Sequence, residues 1–138
     1  MGSSELEATG QRRIEPTEAQ VAYIAGYLDG EGCFTFVNTP VIEITNTYPH
    51  TLMWIKQFFG GTVSMRSSNR TSDKWRTTYR YKVCGANALH MCRSVASYIQ
   101  EKRLQLDAVM AMSKLPKQSE ARKQLQKELS SLKVINYV

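Results

Sequence analysis

Tyr23-Ile24-Ala25-Gly26-Tyr27-Leu28-Asp29-Gly30-Glu31-Gly32-Cys33-Phe34 reads as a helix that runs into an acidic, glycine-flanked turn and continues as a strand. Thr17 is a good N-cap, because its hydroxyl can accept from the free amide three residues on, and Gln20 at that third position completes a capping-box pattern. Glu18 falls in the first turn, where the helix dipole favours negative charge. Ala22, Ala25, Gly26 and Asp29 recur at helical spacing, so one face is nearly without side chains and a second backbone can approach it closely. Gly30 and Gly32 are expected to end the helix through backbone conformations that other residues resist, leaving Glu31 between them with little steric cover. A carboxylate at a helix exit, beside open carbonyls, suits a hard divalent cation. The plainer reading of the same carboxylate is a solvated surface charge.

Beyond this stretch, Cys33 to Val37 and Val41 to Asn46 are rich in β-branched and aromatic residues and read as a hairpin about Asn38-Thr39-Pro40. Phe34, Phe36, Ile42 and Ile44 are expected inward; Thr35, Glu43 and Thr45 take the opposite face. Glu43 there suits either a cytosine amino group or a cross-strand basic partner. Thr47 to Phe59 reads as a second helix with Leu52, Ile55, Phe58 and Phe59 on its buried stripe, broken by Gly60-Gly61. A strand follows from Thr62 to Arg66, then a polar loop, Ser67 to Lys74. The strand Trp75 to Val83 has the clearest period in the chain. Arg76, Thr78, Arg80 and Lys82 alternate with Thr77, Tyr79, Tyr81 and Val83, so one face is donors and cations and the other mostly aromatic core. Three more helices are expected: Ala86 to Tyr98, Gln100 to Leu115, and a charged amphipathic Ser119 to Leu132 that pads the fold.

The chain has the length of a single domain, with residues 1–15 a flexible arm and 16–138 the folded unit. Nothing in it is long and apolar enough to cross a membrane. Cys33, Cys84 and Cys92 make neither a CxxC pair nor an even disulfide set, which points to a reducing, intracellular setting. With only His50 and His90 beside them, a structural zinc site is not expected. The net charge of +6 is concentrated: Arg66, Arg70, Lys74, Arg76, Arg80 and Lys82 face a single acid, Asp73, in the stretch from Gly61 to Lys82. Such a patch is the footprint of a polyanion binder. A twisted β-ribbon with alternating donors can lie in a major groove and present side chains to base edges and phosphates. A merely soluble strand usually mixes charge signs, which favours binding over simple solvation here.

Ile24 to Gly32 resembles the nonapeptide of the LAGLIDADG homing endonucleases, with identity at Ala25, Gly26, Asp29 and Gly32; Gly30 stands for an alanine and Glu31 for the second aspartate. The order of elements from about residue 16 to 115 resembles one module of that family. The resemblance implies an α+β fold, an αββαββα module with a saddle-shaped antiparallel sheet. It also implies that Glu31 and the carbonyl of Gly30 hold a catalytic metal. That metal is expected to be Mg²⁺, with Mn²⁺ as a substitute and Ca²⁺ binding without supporting cleavage. Asn46 and His50 then organise water, and Lys102 lies near the scissile phosphate, completing the catalytic set Glu31, Lys102, Asn46 and His50.

Only one nonapeptide is present, so the resemblance implies a homodimer packed through Ala22, Ala25, Gly26 and Asp29 on a long, partly palindromic double-stranded DNA site. Opposite strands would be cut across the minor groove. DNA contacts are expected from Thr35, Asn38, Ser64, Arg66, Arg70, Lys74, Arg76, Thr78, Arg80 and Lys82. Two other classes fit the basic sheet: a non-cleaving relative acting as an intron RNA maturase or DNA-binding regulator, and an unrelated basic nucleic-acid binder needing neither dimer nor metal.

Overall fold

The computed structural model describes residues 13–66 and 77–135. Helix α1 spans Glu18–Glu31 and begins as its sequence dictates: Oγ1 of Thr17 accepts from the Gln20 amide at 3.2 Å, and Oε1 of Gln20 accepts from the Thr17 amide at 2.8 Å. Losing such a cap costs a helix about 1 kcal/mol. The buried stripe of α1 is Ile24, Ala25 and Leu28.

The end of α1 differs from expectation. Gly30 and Glu31 remain helical, and Gly32 is extended at φ −87° and ψ 168°, a conformation open to any residue. Space rather than backbone freedom requires glycine at 32, because a Cβ there would stand 2.8 Å from both the Leu28 carbonyl oxygen and Leu28 Cδ2.

Strands β1 (Gly32–Phe36) and β2 (Pro40–Asn46) pair antiparallel about a turn in which Asn38 takes φ 60°. Helix α2 (Pro49–Phe59) follows, then β3 (Thr62–Arg66) and β4 (Thr78–Cys84). The sheet order is β1-β2-β4-β3, antiparallel throughout. Side chains alternate as the period-two pattern requires. Phe34, Phe36, Ile42, Ile44, Tyr81 and Val83 are buried beneath the helices, and the cationic positions of β4 fall on the other face. The Tyr81 hydroxyl donates to the Gly60 carbonyl at 2.7 Å, so this buried phenol has its partner and ties β4 to the end of α2.

Helices α3 (Gly85–Val95), α4 (Arg103–Ser113) and α5 (Glu120–Ile135) complete the order. The first two are shorter than their apolar periodicity suggests, because the segment between Val95 and Arg103 turns over the end of α1 and is held there by Asp29. Helix α5 does more than pad. Its Arg122 donates through Nε and Nη2 to the Met112 carbonyl at 3.1 and 3.0 Å and lies over the Phe36 ring at 4.6 Å, while Leu129 is buried. The last residues of the expected arm are fastened as well: Arg13 donates to Asn87 at 2.8 Å, and the Ile14 amide to the Gln57 carbonyl at 3.2 Å.

Candidate active site

The C-terminal end of α1 is met by side chains from two other parts of the chain, Lys102 and Asn46. Asp29 accepts from the amides of Gln100, Glu101 and Lys102 at 2.9, 3.0 and 2.9 Å, which gives the entrance to α4 a charged cap. Partial burial raises the Asp29 pKa, but the three amide donors and the Lys102 charge together outweigh it and hold the carboxyl below its ordinary value. Lys102 reaches back across the junction, donating from Nζ to the carbonyls of Asp29 at 2.8 Å and Leu28 at 3.4 Å. A cation thus occupies the negative end of α1.

Asn46, the last residue of β2, approaches the same turn from the sheet side. Its Nδ2 donates to the Tyr27 hydroxyl, and its Oδ1 accepts from the Tyr48 amide at 3.2 Å. That second bond makes an Asx-type turn of residues 46–48 and starts α2 at Pro49 rather than at Thr47. Glu31 lies one turn beyond Tyr27 on the same helix face and is exposed. Burial first, and the Glu31 charge second, raise the Tyr27 pKa against the lowering effect of its Asn46 bond, so the phenol stays protonated. Tyr27 was not among the residues expected at the site; the available signal was a polar tip four residues before Glu31.

Asn46 and Lys102 therefore both contact the end of α1 that carries Glu31. His50 does not join them. It stacks on Tyr48 at 4.7 Å and lines a cleft of about 470 Å³ with Ala19, Gln20, Tyr23, Thr51 and Trp54. Even Tyr23, the cleft residue nearest Glu31 in sequence, lies about 12 Å from it along the helix axis. The turn at Asn46 directs His50 toward the N-terminal half of α1 instead.

The close-approach face of α1 is also redistributed. Ala25 is wholly buried in the chain's own core, and the Asp29 carboxylate is engaged within the chain, so neither is on the open side. Gly26 and Gly30 are exposed, with nothing within 4 Å of a Cβ at either, and Ala22 is half-buried. Tyr23 is 59% exposed and borders the cleft that contains His50.

On the open face of the sheet, register places Cys33, Glu43, Lys82 and Thr62 in one row across the four strands, and Thr45, Arg80 and Ser64 in the next. Thr78 and Arg66 pair beyond them, Thr35 lies on the same face of β1, and Asn38 is at the hairpin tip. Glu43 lies 3.5 Å from Arg80, the cross-strand partnership that was one of its two expected roles. The other expected contacts, Arg70, Lys74 and Arg76, lie outside the described residues. Among the described residues, no group of three or more His, Cys, Asp or Glu is gathered to hold a metal ion within one chain.

No profile of a known protein family and no curated protein matches this sequence. Solved structures do match its fold. The homing endonuclease I-CvuI, bound to its target in the presence of 2 mM Ca, superposes with a TM-score of 0.65 at 20% identity, over 83% of this chain and 82% of that one. The same enzyme on another target, in 2 mM Mg with the DNA not cleaved, gives 0.63 at 20% identity over the same shares of 83% and 82%. The archaeal intron-encoded homing endonuclease I-Vdi141I, complexed with DNA, gives 0.65 at 19% identity, over 83% and 84%. The LAGLIDADG homing endonuclease I-GzeII, with its DNA target, gives 0.53 at 20% identity, over 81% of this chain and 43% of that one.

Proposed function

We propose that this chain, which shares its fold with the LAGLIDADG homing endonucleases, is a site-specific, divalent-metal-dependent DNA endonuclease acting as a homodimer on a long pseudo-palindromic site. The observation that carries the proposal is the convergence of Asn46 and Lys102 on the one helix end that carries Glu31, where strands of an open cationic sheet begin and finish. A protein that only binds a polyanion has no use for an exposed carboxylate at that point. The DNA-bound state of its structural neighbours supports duplex DNA as the substrate.

The donor set fits a hard cation. Glu31 is exposed, and the carbonyl of Gly30 lies at the helix end, where intrahelical partners run out. One chain offers one such carboxylate, and two copies would supply the pair. Bound Mg²⁺ supplies acidified water, a polarised phosphate and a stabilised 3′ leaving oxygen; Mn²⁺ would substitute, and Ca²⁺ would bind without cleavage. The presence of Ca and Mg in the I-CvuI complexes supports a divalent ion.

The residues of the chain do the rest. Lys102, anchored on two carbonyls, keeps a positive charge next to the reacting phosphate and stabilises the negative charge that develops there. Asn46 orients water through the donor and acceptor of its amide. Arg66, Arg80 and Lys82 engage phosphates and base edges from the sheet.

The homodimer is supported by the uncovered Gly26 and Gly30, by the adjoining exposed Tyr23, and by a chain that spans over four fifths of I-CvuI and I-Vdi141I but 43% of I-GzeII. The test exposes purified protein to a pooled library of long, partly palindromic duplexes with Mg²⁺, Ca²⁺ or EDTA, with Glu31→Gln alongside. Mg²⁺- and Glu31-dependent double-strand cuts at a two-fold site are expected. Cutting by Glu31→Gln at the wild-type rate overturns the site, and selective retention without cutting by the wild type replaces the endonuclease with a binding protein.

A further inference from the structure

The Tyr27 ring is half-buried against the core, a role phenylalanine would fill equally well. Its hydroxyl is the part that packing does not explain, and burying a hydroxyl is unfavourable unless it finds a partner. The partner is Nδ2 of Asn46. A side-chain amide is nearly symmetric in shape, so Asn46 held at one end could turn over and exchange its donor for its acceptor. Here both ends are held: Oδ1 by the Tyr48 amide at 3.2 Å, and Nδ2 by the Tyr27 oxygen. In this arrangement the second Nδ2 hydrogen and the remaining Oδ1 lone pair have fixed directions. Because the Tyr27 oxygen accepts, its own proton stays available for donation on the helix face it shares with Glu31, one turn away.

We infer that Tyr27 is a positioning residue of the proposed nuclease site, fixing the orientation of the Asn46 amide so that its free donor and acceptor are set before substrate arrives. The inference rests on the endonuclease reading for its catalytic consequence but not for the bond itself. Preorganised dipoles contribute to rate because no reorganisation is needed during the reaction, so loss of the hydroxyl lowers turnover and leaves DNA affinity alone.

The experiment compares ¹⁵N-labelled wild-type and Tyr27→Phe proteins by NMR of the side-chain amides, the Asn46 pair being assigned by its loss in Asn46→Ser. In Tyr27→Phe the Asn46 amide protons are expected to shift and exchange faster with solvent, while the urea midpoint barely moves. With Mg²⁺ and cleavable duplex, kcat is expected to fall about tenfold at unchanged Kd for DNA in Ca²⁺. Tyr27→Phe is expected to add no further loss in an Asn46→Ser background, since both act through one group. Unchanged Asn46 resonances in Tyr27→Phe overturn the inference. Parallel losses of stability, affinity and rate overturn it too, because they mark a packing role. If wild-type protein cuts no duplex, the endonuclease reading fails, and the amide resonances still establish or refute the positioning of Asn46 by Tyr27.

Discussion

Lys102 and Asp29 hold one another twice: the Lys102 amide donates to Oδ1 of Asp29 at 2.9 Å, and Nζ of Lys102 donates to the Asp29 carbonyl at 2.8 Å. The carboxylate closes the entrance to α4 and the ammonium closes the exit of α1, so each helix end meets charge of the sign its dipole favours. The same lock holds Lys102 within one turn of Glu31. Asp29→Ala removes the acceptor of three amides and is expected to cost about 2 kcal/mol of stability in urea denaturation. Asp29→Asn, which keeps an oxygen acceptor but no charge, should recover part of it. A stability change below a few tenths of a kcal/mol in Asp29→Ala would remove the lock from the account.

The sign of the acid response follows from that lock. The Asp29 pKa is lowered in the folded protein, against the effect of burial, by amide donors and the Lys102 charge. A carboxyl depressed on folding stabilises the native state fully above the unfolded aspartate value of about 4 and loses that contribution as pH falls through the lower folded value. Thermal midpoints of wild type and Asp29→Asn, measured from neutral pH downward, should therefore converge below pH 4. A constant gap across that range would count against Asp29 as the source.

Two glycines of the first helix region should respond in opposite ways. Gly32→Ala places a Cβ 2.8 Å from the Leu28 carbonyl and is expected to destabilise the chain itself by about 1–3 kcal/mol. Gly26 has nothing within 4 Å of a Cβ, so Gly26→Leu should leave the fold of one chain intact while blocking close approach of a second copy. Sedimentation velocity should then report a monomer with unchanged circular dichroism. A dimer of wild-type affinity in Gly26→Leu would place the interface elsewhere.

Thiol footprinting tests the sheet face. Cys84 is exposed and Cys33 half-buried, both on the open side, whereas Cys92 is buried and its pKa is pushed up to about 12 by that burial. Maleimide should modify Cys84 first, Cys33 more slowly and native Cys92 hardly at all. Bound duplex should slow the first two. Unchanged labelling of Cys84 and Cys33 at saturating DNA would assign the duplex to another surface.

Expectation and structure agree where the causes are local. The capping box of Thr17 and Gln20, the alternation of β1, β2 and β4, and the buried stripe of α2 all act between residues two to four positions apart. They can be read from spacing because a helix or strand fixes what such neighbours face. The nonapeptide likewise pointed to the end of α1 as the place of the candidate site.

The sequence by itself thus determined the order of the elements, the sidedness of the sheet and the position of Glu31 at a helix exit. Tertiary structure alone decided that Ala25 turns inward, that Asp29 is engaged within the chain, and that the helical period is interrupted before Arg103. It also decided that His50 lies by the N-terminal half of α1, while Tyr27 takes the amide of Asn46. The physical reason is separation along the chain. Asn46 and Tyr27 are 19 residues apart and Lys102 and Asp29 are 73, and no local periodicity encodes a hydrogen bond over such spans until packing has brought the elements together.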